Sequence, residues 1–178
     1  MNSAYVYLQI YRLFDNITPI KADCGKLCNK ACCKGDDSGM YLFPGEKKVY
    51  DLLNPGWIRL ERSDFYYNYD GKKKNVPIAM CKGKCDRYQR PLACRIFPLT
   101  PYVSSKGELE IIMDPRAKSI CPMAKLMKKD ELNPEFVRNV ERTFKLLMKN
   151  REFKVFMQDY SAYISEYLRF FPDGKVSM

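Results

Sequence analysis

The residues of this chain with the clearest chemical potential are its eight cysteines. Four of them occur together in CGKLCNKACC, and the others follow at wider intervals. Thiolates bind zinc, iron and iron–sulfur clusters far better than oxygen ligands do. The number and grouping of the cysteines therefore predict a metal centre, and all eight are candidate ligands: Cys24, Cys28, Cys32, Cys33, Cys81, Cys85, Cys94 and Cys121.

The spacing of these cysteines does not choose the metal. The chain contains no histidine, which excludes mixed Cys and His zinc sites and a histidine general base. Cys24 and Cys28 have three residues between them, as do Cys81 and Cys85. Zinc ribbons commonly use shorter gaps, and the ferredoxin patterns differ from this sequence as well. Both zinc and an iron–sulfur cluster therefore stay open.

Two other uses of the cysteines are disulfide bonds and buried structural thiols. Residues 1–14 lack the basic start and the small-residue cleavage site of a secretion signal, so we expect a cytoplasmic, reducing location. Disulfides are disfavoured in that environment. Eight structural thiols would be unusual in a chain of 178 residues, because free cysteine is normally kept for reactivity or ligation. Metal binding is the preferred interpretation.

A second chemical feature is the stretch CDRYQRPLACRIFP, in which arginines accompany cysteines. Pro91 fixes its own φ and restricts Arg90 to extended backbone, which holds the following Cys94 at a defined angle. Arg90 and Arg95 are permanently charged and can donate hydrogen bonds to thiolates or to an anionic cofactor. Both arginines are therefore candidate cofactor-binding residues, and neutralisation of the metal centre is their alternative role.

The two cysteine-rich stretches resemble the CxxCxxCC cysteine-cluster family of zinc- or iron-chelating domain proteins. The likeness covers roughly residues 23–122 and includes the isolated Cys121. In the first motif, both gaps are one residue longer than in the family pattern. The second motif matches at Cys85, Tyr88, Arg90, Pro91, Cys94, Arg95, Phe97 and Pro98.

The resemblance implies a cysteine-bound iron–sulfur cluster, slightly favoured, or zinc, in a protein whose physiological role the family does not define. A distant relative, the flagellin lysine N-methylase, combines this module with an iron–sulfur cluster and S-adenosylmethionine. The alternative function is therefore a methylase-like enzyme. The residues themselves indicate no nucleotide site, since no glycine-rich turn follows a predicted strand. Whether the chain is an enzyme stays open.

The charge of the chain favours anionic partners. Its formal net charge is +10, from 31 Lys and Arg against 21 Asp and Glu. A basic nucleic-acid-binding metal module is therefore a second alternative, although the alternating basic and aromatic residues of a strand-binding groove are missing. The sequence names no protein partner. It has no apolar run of about 18 residues, so no membrane span is expected.

The elements expected to position the cysteines are short. Residues 4–14 fit a helix with Tyr7, Tyr11 and Phe14 on one face, and a strand over the same residues is the alternative. Pro44 predicts the start of a helix over 44–53, with Glu46 suited to its dipole.

Two hairpins are expected around the second cysteine stretch. Asp70 and Gly71 predict a tight turn between extended residues 65–69 and a returning strand over 72–76. The second hairpin joins residues 99–103 to residues 108–113 through SSKG.

The last part of the chain has helical periodicity. Asn133 and Pro134 predict a helix start, and the apolar pattern continues to Phe171, which indicates a helical hairpin or one long bent helix. The expected fold is a single α+β domain. In it, the helical part over 133–171 packs on a cysteine-rich, metal-binding part over 1–125 that carries short β-hairpins.

Overall fold

The computed structural model describes residues 3–33, 39–82 and 85–170 and contains both helices and short antiparallel sheets, in agreement with the predicted α+β class. The helices are α1 (Ser3–Arg12), α2 (Cys24–Leu27), α3 (Lys47–Leu53), α4 (Leu92–Ile96), α5 (Pro122–Leu126), α6 (Pro134–Leu147) and α7 (Arg151–Phe170). The strands are β1 (Gly39–Tyr41), β2 (Ile58–Tyr69), β3 (Lys72–Cys81), β4 (Leu99–Val103) and β5 (Leu109–Met113). Across the described ranges, every helix is too short or too polar to cross a bilayer.

The amino-terminal segment is helical, as predicted, and not a strand. Helix α1 buries Tyr7, Ile10 and Tyr11 on one face, and Phe14 follows on the same side of the core. Its contacts include a hydrogen bond from the Tyr7 hydroxyl to the carbonyl oxygen of Pro44 over 3.1 Å. Helix α1 therefore packs beside the segment that leads into α3.

The predicted helix start at Pro44 is wrong, because α3 begins at Lys47. Gly45 adopts a φ of 85°, in the left-handed region, so the chain cannot enter a right-handed helix before Glu46. An added Cβ at Gly45 would lie 3.0 Å from the Cβ of Ser3 in α1, so this position also needs glycine for close packing.

Glu46 lies at the N-cap position of α3, and its side chain is fully buried and makes no capping hydrogen bond to that helix. Its Oε2 accepts from the backbone N–H of Phe43 at 2.9 Å, and its Oε1 accepts from the Tyr11 hydroxyl and the backbone N–H of Leu92, each at 2.6 Å. Burial raises the pKa of this carboxyl group, and the three donors oppose that rise. Glu46 thus joins α1, the turn before α3 and the start of α4.

The first sheet has the strand order β1-β3-β2, and all its pairs are antiparallel. The predicted turn is confirmed, since Asp70 and Gly71 have φ values of 53° and 69°, as a type I′ hairpin requires. The two arms run further than predicted and include a register shift between Arg62 and Tyr66. Strand β1 was not predicted. The second sheet is the expected hairpin of β4 and β5.

Two separate helices, α6 and α7, occupy the region predicted to be helical, and a turn over residues 148–150 joins them. Asn133 caps α6 by accepting from the backbone N–H of Glu135 at 3.1 Å, with Pro134 in the first helical turn. The predicted end at Phe171 lies outside the described residues. Phe43, from the amino-terminal part, inserts between these helices and contacts their aromatic rings: Phe144, Phe153, Phe156 and Tyr160. One hydrophobic core therefore runs from α1 to α7.

Candidate metal centre

The first cysteine group lies on a compact segment made of α2 and a 3-10 turn over Ala31–Cys33. Asp23 caps α2 by accepting from the backbone N–H of Gly25 at 3.0 Å. Asn29 and Lys30 then both adopt left-handed backbone, with φ values of 49° and 56°. The backbone N–H of Lys30 donates back to the carbonyl of Gly25. This reversal folds the segment so that its cysteines come close to one another.

The second group is held by a 3-10 turn over Arg87–Gln89 and by α4, which carries Cys94. Asp86 caps the turn by accepting from the backbone N–H of Tyr88 at 2.9 Å. The Trp57 indole donates to the side chain of Gln89 at 2.8 Å, and the Tyr50 hydroxyl donates to its carbonyl at 2.9 Å. These contacts attach the Arg-Pro stretch to the folded body of the protein.

The two groups meet at a cavity of about 60 Å³. Its wall also includes Arg87, Arg90 and Arg95, together with Phe14 from the end of α1. The cysteines that line it come from three separate parts of the sequence: Cys24, Cys28, Cys32, Cys94 and Cys121.

Cys33 and Cys85 lie against these cavity-lining thiols. The Sγ atoms of Cys32 and Cys33 are 3.8 Å apart, and their hydrogen bond lowers the pKa of Cys32 while raising that of Cys33. A hydrogen bond with Cys33 also raises the pKa of Cys85. Burial raises the pKa of Cys94, and the nearby Cys33 and Cys85 raise it further. We refer to these seven residues as the cysteine group: Cys24, Cys28, Cys32, Cys33, Cys85, Cys94 and Cys121.

The eighth predicted ligand, Cys81, lies outside the cavity wall. It is the last residue of β3 and is paired with Ile58 of β2. It is not among the described residues that line the cavity. Its position in a strand explains this separation, because β3 ends before the chain reaches the Arg-Pro stretch.

The two predicted cofactor-binding arginines have different surroundings. Arg90 Nε donates to Cys85 Sγ at 2.7 Å. The positive charge of Arg90 opposes the rise in the pKa values of Cys85 and Cys94 without cancelling it. The guanidinium of Arg95 instead donates to the carbonyls of Tyr11, Tyr88 and Arg90 and to the carboxylate of Asp15. Arg90 therefore contacts the cysteine group, whereas the donors of Arg95 serve the protein backbone and one ion pair.

The sequence analysis did not identify Arg87, which lines the cavity and connects its wall to the segment after α1. Its Nε donates to the carbonyl of Asp15 at 3.1 Å. The available signal was its place between Asp86 and Tyr88, inside the stretch already singled out. Nothing in the sequence pattern connects it with Asp15, because that contact spans 72 residues.

All eight cysteines are free thiols, so their side chains are chemically suited to bind a metal as thiolates. As they stand, no three Cys, Asp or Glu side chains in the part of the chain that the structure describes converge tightly enough to hold one ion. The 3.8 Å between Cys32 Sγ and Cys33 Sγ nevertheless matches the separation of about 3.8 Å for two sulfurs on a tetrahedral zinc ion with bonds of about 2.3 Å.

Comparison of the chain with protein-family models, with curated proteins and with solved structures found no match.

Proposed function

We propose that this chain binds a metal centre, an iron–sulfur cluster or zinc, through the cysteine group. The observation that supports this proposal is that five free thiols line one cavity and two more lie beside them, although they come from residues 24–33, 85–94 and 121. Thiols are seldom gathered in this way for packing alone, because small apolar side chains fill a core without the reactivity of sulfur. A shared metal centre explains why three distant segments bring sulfur to the same place.

The number of thiols favours an iron–sulfur cluster over a single zinc ion. Four thiolates complete a zinc site, whereas the cysteine group holds seven. A cluster is wider than a single ion and can be reached from ligands on well-separated segments, and the extra thiols can support the bridging sulfides. Two zinc ions with shared thiolates would use the same residues and form the competing assignment.

Charge in the site is balanced by arginine. A cluster or zinc ion with four thiolates carries a net negative charge, and Arg87, Arg90 and Arg95 all line the cavity. Arg90 donates directly to a sulfur, and hydrogen bonds to ligand sulfurs raise the reduction potential of a cluster. We therefore assign Arg90 to tuning the centre and Arg95 to holding the segments that surround it.

The test is anaerobic purification of the full chain, followed by an absorption spectrum and measurement of iron, acid-labile sulfide and zinc. A broad absorption band at about 400 nm, with iron and sulfide in matching amounts, would establish an iron–sulfur cluster. A colourless protein with bound zinc would establish the zinc assignment. A chain that holds neither metal after anaerobic reconstitution would overturn the proposal.

Two matched serine variants locate the site. Cys94→Ser removes a thiol that lines the cavity, and it is expected to lower bound metal by at least half, because thiolate ligands dominate the affinity. Cys81→Ser removes the thiol that lies apart from the cysteine group, and it should leave the metal content unchanged. The reverse result would place the centre near the end of β3.

A further inference from the structure

A second cavity borders the helix that carries Cys94. It has a volume of about 240 Å³, four times that of the cavity between the cysteines. Ala93 of α4 lines this second cavity, and the neighbouring Cys94 lines the first. A cavity of about 150 Å³ is large enough to hold benzene, so this one has room for an aromatic ring with a substituent.

Four of the nine residues that line this cavity are aromatic. Tyr41 comes from β1, Phe43 follows it, and Tyr160 and Tyr163 come from α7. The rings of Tyr41 and Tyr163 lie 6.0 Å apart in an edge-to-face arrangement, and those of Phe43 and Tyr160 lie 6.2 Å apart. Flat, apolar surfaces of this kind favour a planar guest.

One cationic side chain, Arg116, reaches the same cavity. Its Nε and Nη2 donate to the two carboxylate oxygens of Asp114 at 2.9 and 2.7 Å, and Nη2 also donates to the Tyr160 hydroxyl at 2.6 Å. Within residues 3–33, 39–82 and 85–170, no hydrogen bond uses Nη1. The guanidinium is therefore held in place by Asp114 and retains two donors for a ligand.

We propose that this cavity binds a small aromatic carboxylate, with its ring among the tyrosines and its carboxylate accepting from Arg116 Nη1. A carboxylate is preferred over a neutral polar group because charge-assisted hydrogen bonds to arginine are the stronger ones. It is preferred over an organic cation because Arg116 Nη1 offers N–H donors, and a carboxylate can accept from them whereas a quaternary cation cannot. The proposal does not depend on the metal centre.

The experiment compares three ligands of similar shape by ligand-observed NMR on the full chain: benzoate, benzyl alcohol and benzyltrimethylammonium. Benzoate is expected to bind with a Kd below about 1 mM, as a ligand of its size can. Benzyl alcohol should bind at least about tenfold more weakly, the difference expected from a charge-assisted contact. The proposal is overturned if benzoate does not bind or if the cation binds more tightly than benzoate.

Two variants assign the binding to this cavity. Ala93→Leu fills part of the space without removing a hydrogen bond, and it should weaken benzoate binding at least about tenfold while the chain stays folded. Arg116→Met should weaken benzoate and leave benzyl alcohol nearly unchanged. Arg116→Met also leaves Asp114 without its ion-pair partner. If that variant fails to fold, benzoate binding to the folded Ala93→Leu protein decides whether the ligand occupies this cavity.

Tyr102→Phe is the matched control. The Tyr102 hydroxyl contacts Ser165 Oγ at 3.0 Å, and Tyr102 is not among the described residues that line the second cavity. This variant should bind benzoate with the affinity of the unmodified chain. Unchanged benzoate affinity in Ala93→Leu would place the ligand elsewhere and refute the assignment.

Discussion

The backbone N–H of Leu92 donates to the buried Oε1 of Glu46 over 2.6 Å, so the helix that carries Cys94 begins on a carboxylate from a segment 46 residues earlier. A carboxylate at the first turn of a helix satisfies a backbone donor that no helical carbonyl can reach. The position of Cys94 in the cavity therefore depends on a side chain that does not line that cavity.

Glu46→Gln is expected to lower the free energy of unfolding by about 1–3 kcal/mol. The new amide places a donor beside one of the N–H or O–H groups that now donate to Glu46, and one buried donor loses its acceptor. Urea unfolding followed by circular dichroism measures the change. Tyr11→Phe is the control, because it removes only one of the three donors and should cost less.

The two arginines of the second motif should separate in a stability experiment that uses the same urea titration. Arg95→Met is expected to cost about 3 kcal/mol or more, because its buried guanidinium makes four hydrogen bonds to protein oxygens and its loss leaves Asp15 unpaired. Arg90→Met should cost about 1 kcal/mol, since the substitution removes one hydrogen bond to Cys85.

Arg90→Met also tests the proposed role of Arg90 beside the metal centre. On a metal-loaded chain, Arg90→Met should shift the absorption spectrum or the reduction potential of the centre, because it removes a donor from sulfur. A spectrum unchanged by Arg90→Met would show that this arginine does not contact the bound centre.

The lowered pKa of Glu152 predicts that the free energy of unfolding decreases in acid. Partial burial alone raises its pKa, but Lys74 and Tyr67, which donate to its Oε1 at 2.6 and 2.7 Å, outweigh burial and leave the pKa lowered. A carboxyl group with a lower pKa in the folded state stabilises the protein above its unfolded value of 4.5, and this contribution is lost as the pH falls through the folded value. Glu152→Gln should cost about 0.5–1 kcal/mol at neutral pH and almost nothing near pH 3.

The matched control for this pH dependence is Glu110→Gln, which changes an exposed carboxyl group on β5. It should leave the free energy of unfolding nearly unchanged at both pH values. Equal losses for Glu152→Gln at neutral and acidic pH would show that the effect of the substitution is not ionic.

Phe156→Ala should strongly destabilise the hydrophobic core. Phe156 has no exposed surface, and its ring contacts Phe43, Phe65, Tyr67, Phe153 and Tyr160. Truncation leaves a cavity that costs about 3–5 kcal/mol. Phe170→Ala, at a residue 65% exposed, should change the free energy of unfolding by less than about 0.5 kcal/mol. Thermal unfolding of both variants compares them directly.

Local signals in the sequence predicted the elements that depend on local chemistry. Asp70 and Gly71 adopt the left-handed turn that their residue types favour, and Asn133 caps α6 as its position before Pro134 indicates. The start of α3 could not be read in this way. Gly45 before it takes a left-handed φ, and the Glu46 side chain accepts from Phe43, Tyr11 and Leu92, of which Tyr11 and Leu92 are distant in sequence.

In the candidate site, too, the sequence predicted the residue types but not the contacts between distant segments. The cysteines identified themselves by type and number, but their grouping depends on how α4, the segment after Asp23 and the start of α5 come together. The separation of Cys81 follows from the unpredicted length of β3, which extends to that residue. The second cavity had no sequence signal, because Tyr160 and Tyr163 have the helical spacing of ordinary core residues and Tyr41 lies on a strand that was not predicted.

The segment that carries the first four cysteines contributes no fully buried residue in α2 or in the 3-10 turn that follows. The buried core includes no residue of this segment, and only Cys24 packs against it from a partly buried position, so the packing of the fold places little constraint on the number of residues between Cys24, Cys28 and Cys32. Insertions and deletions in this loop are therefore tolerable to the scaffold. The cysteine spacing in this loop is therefore a part of the sequence that can be redesigned without repacking the hydrophobic core.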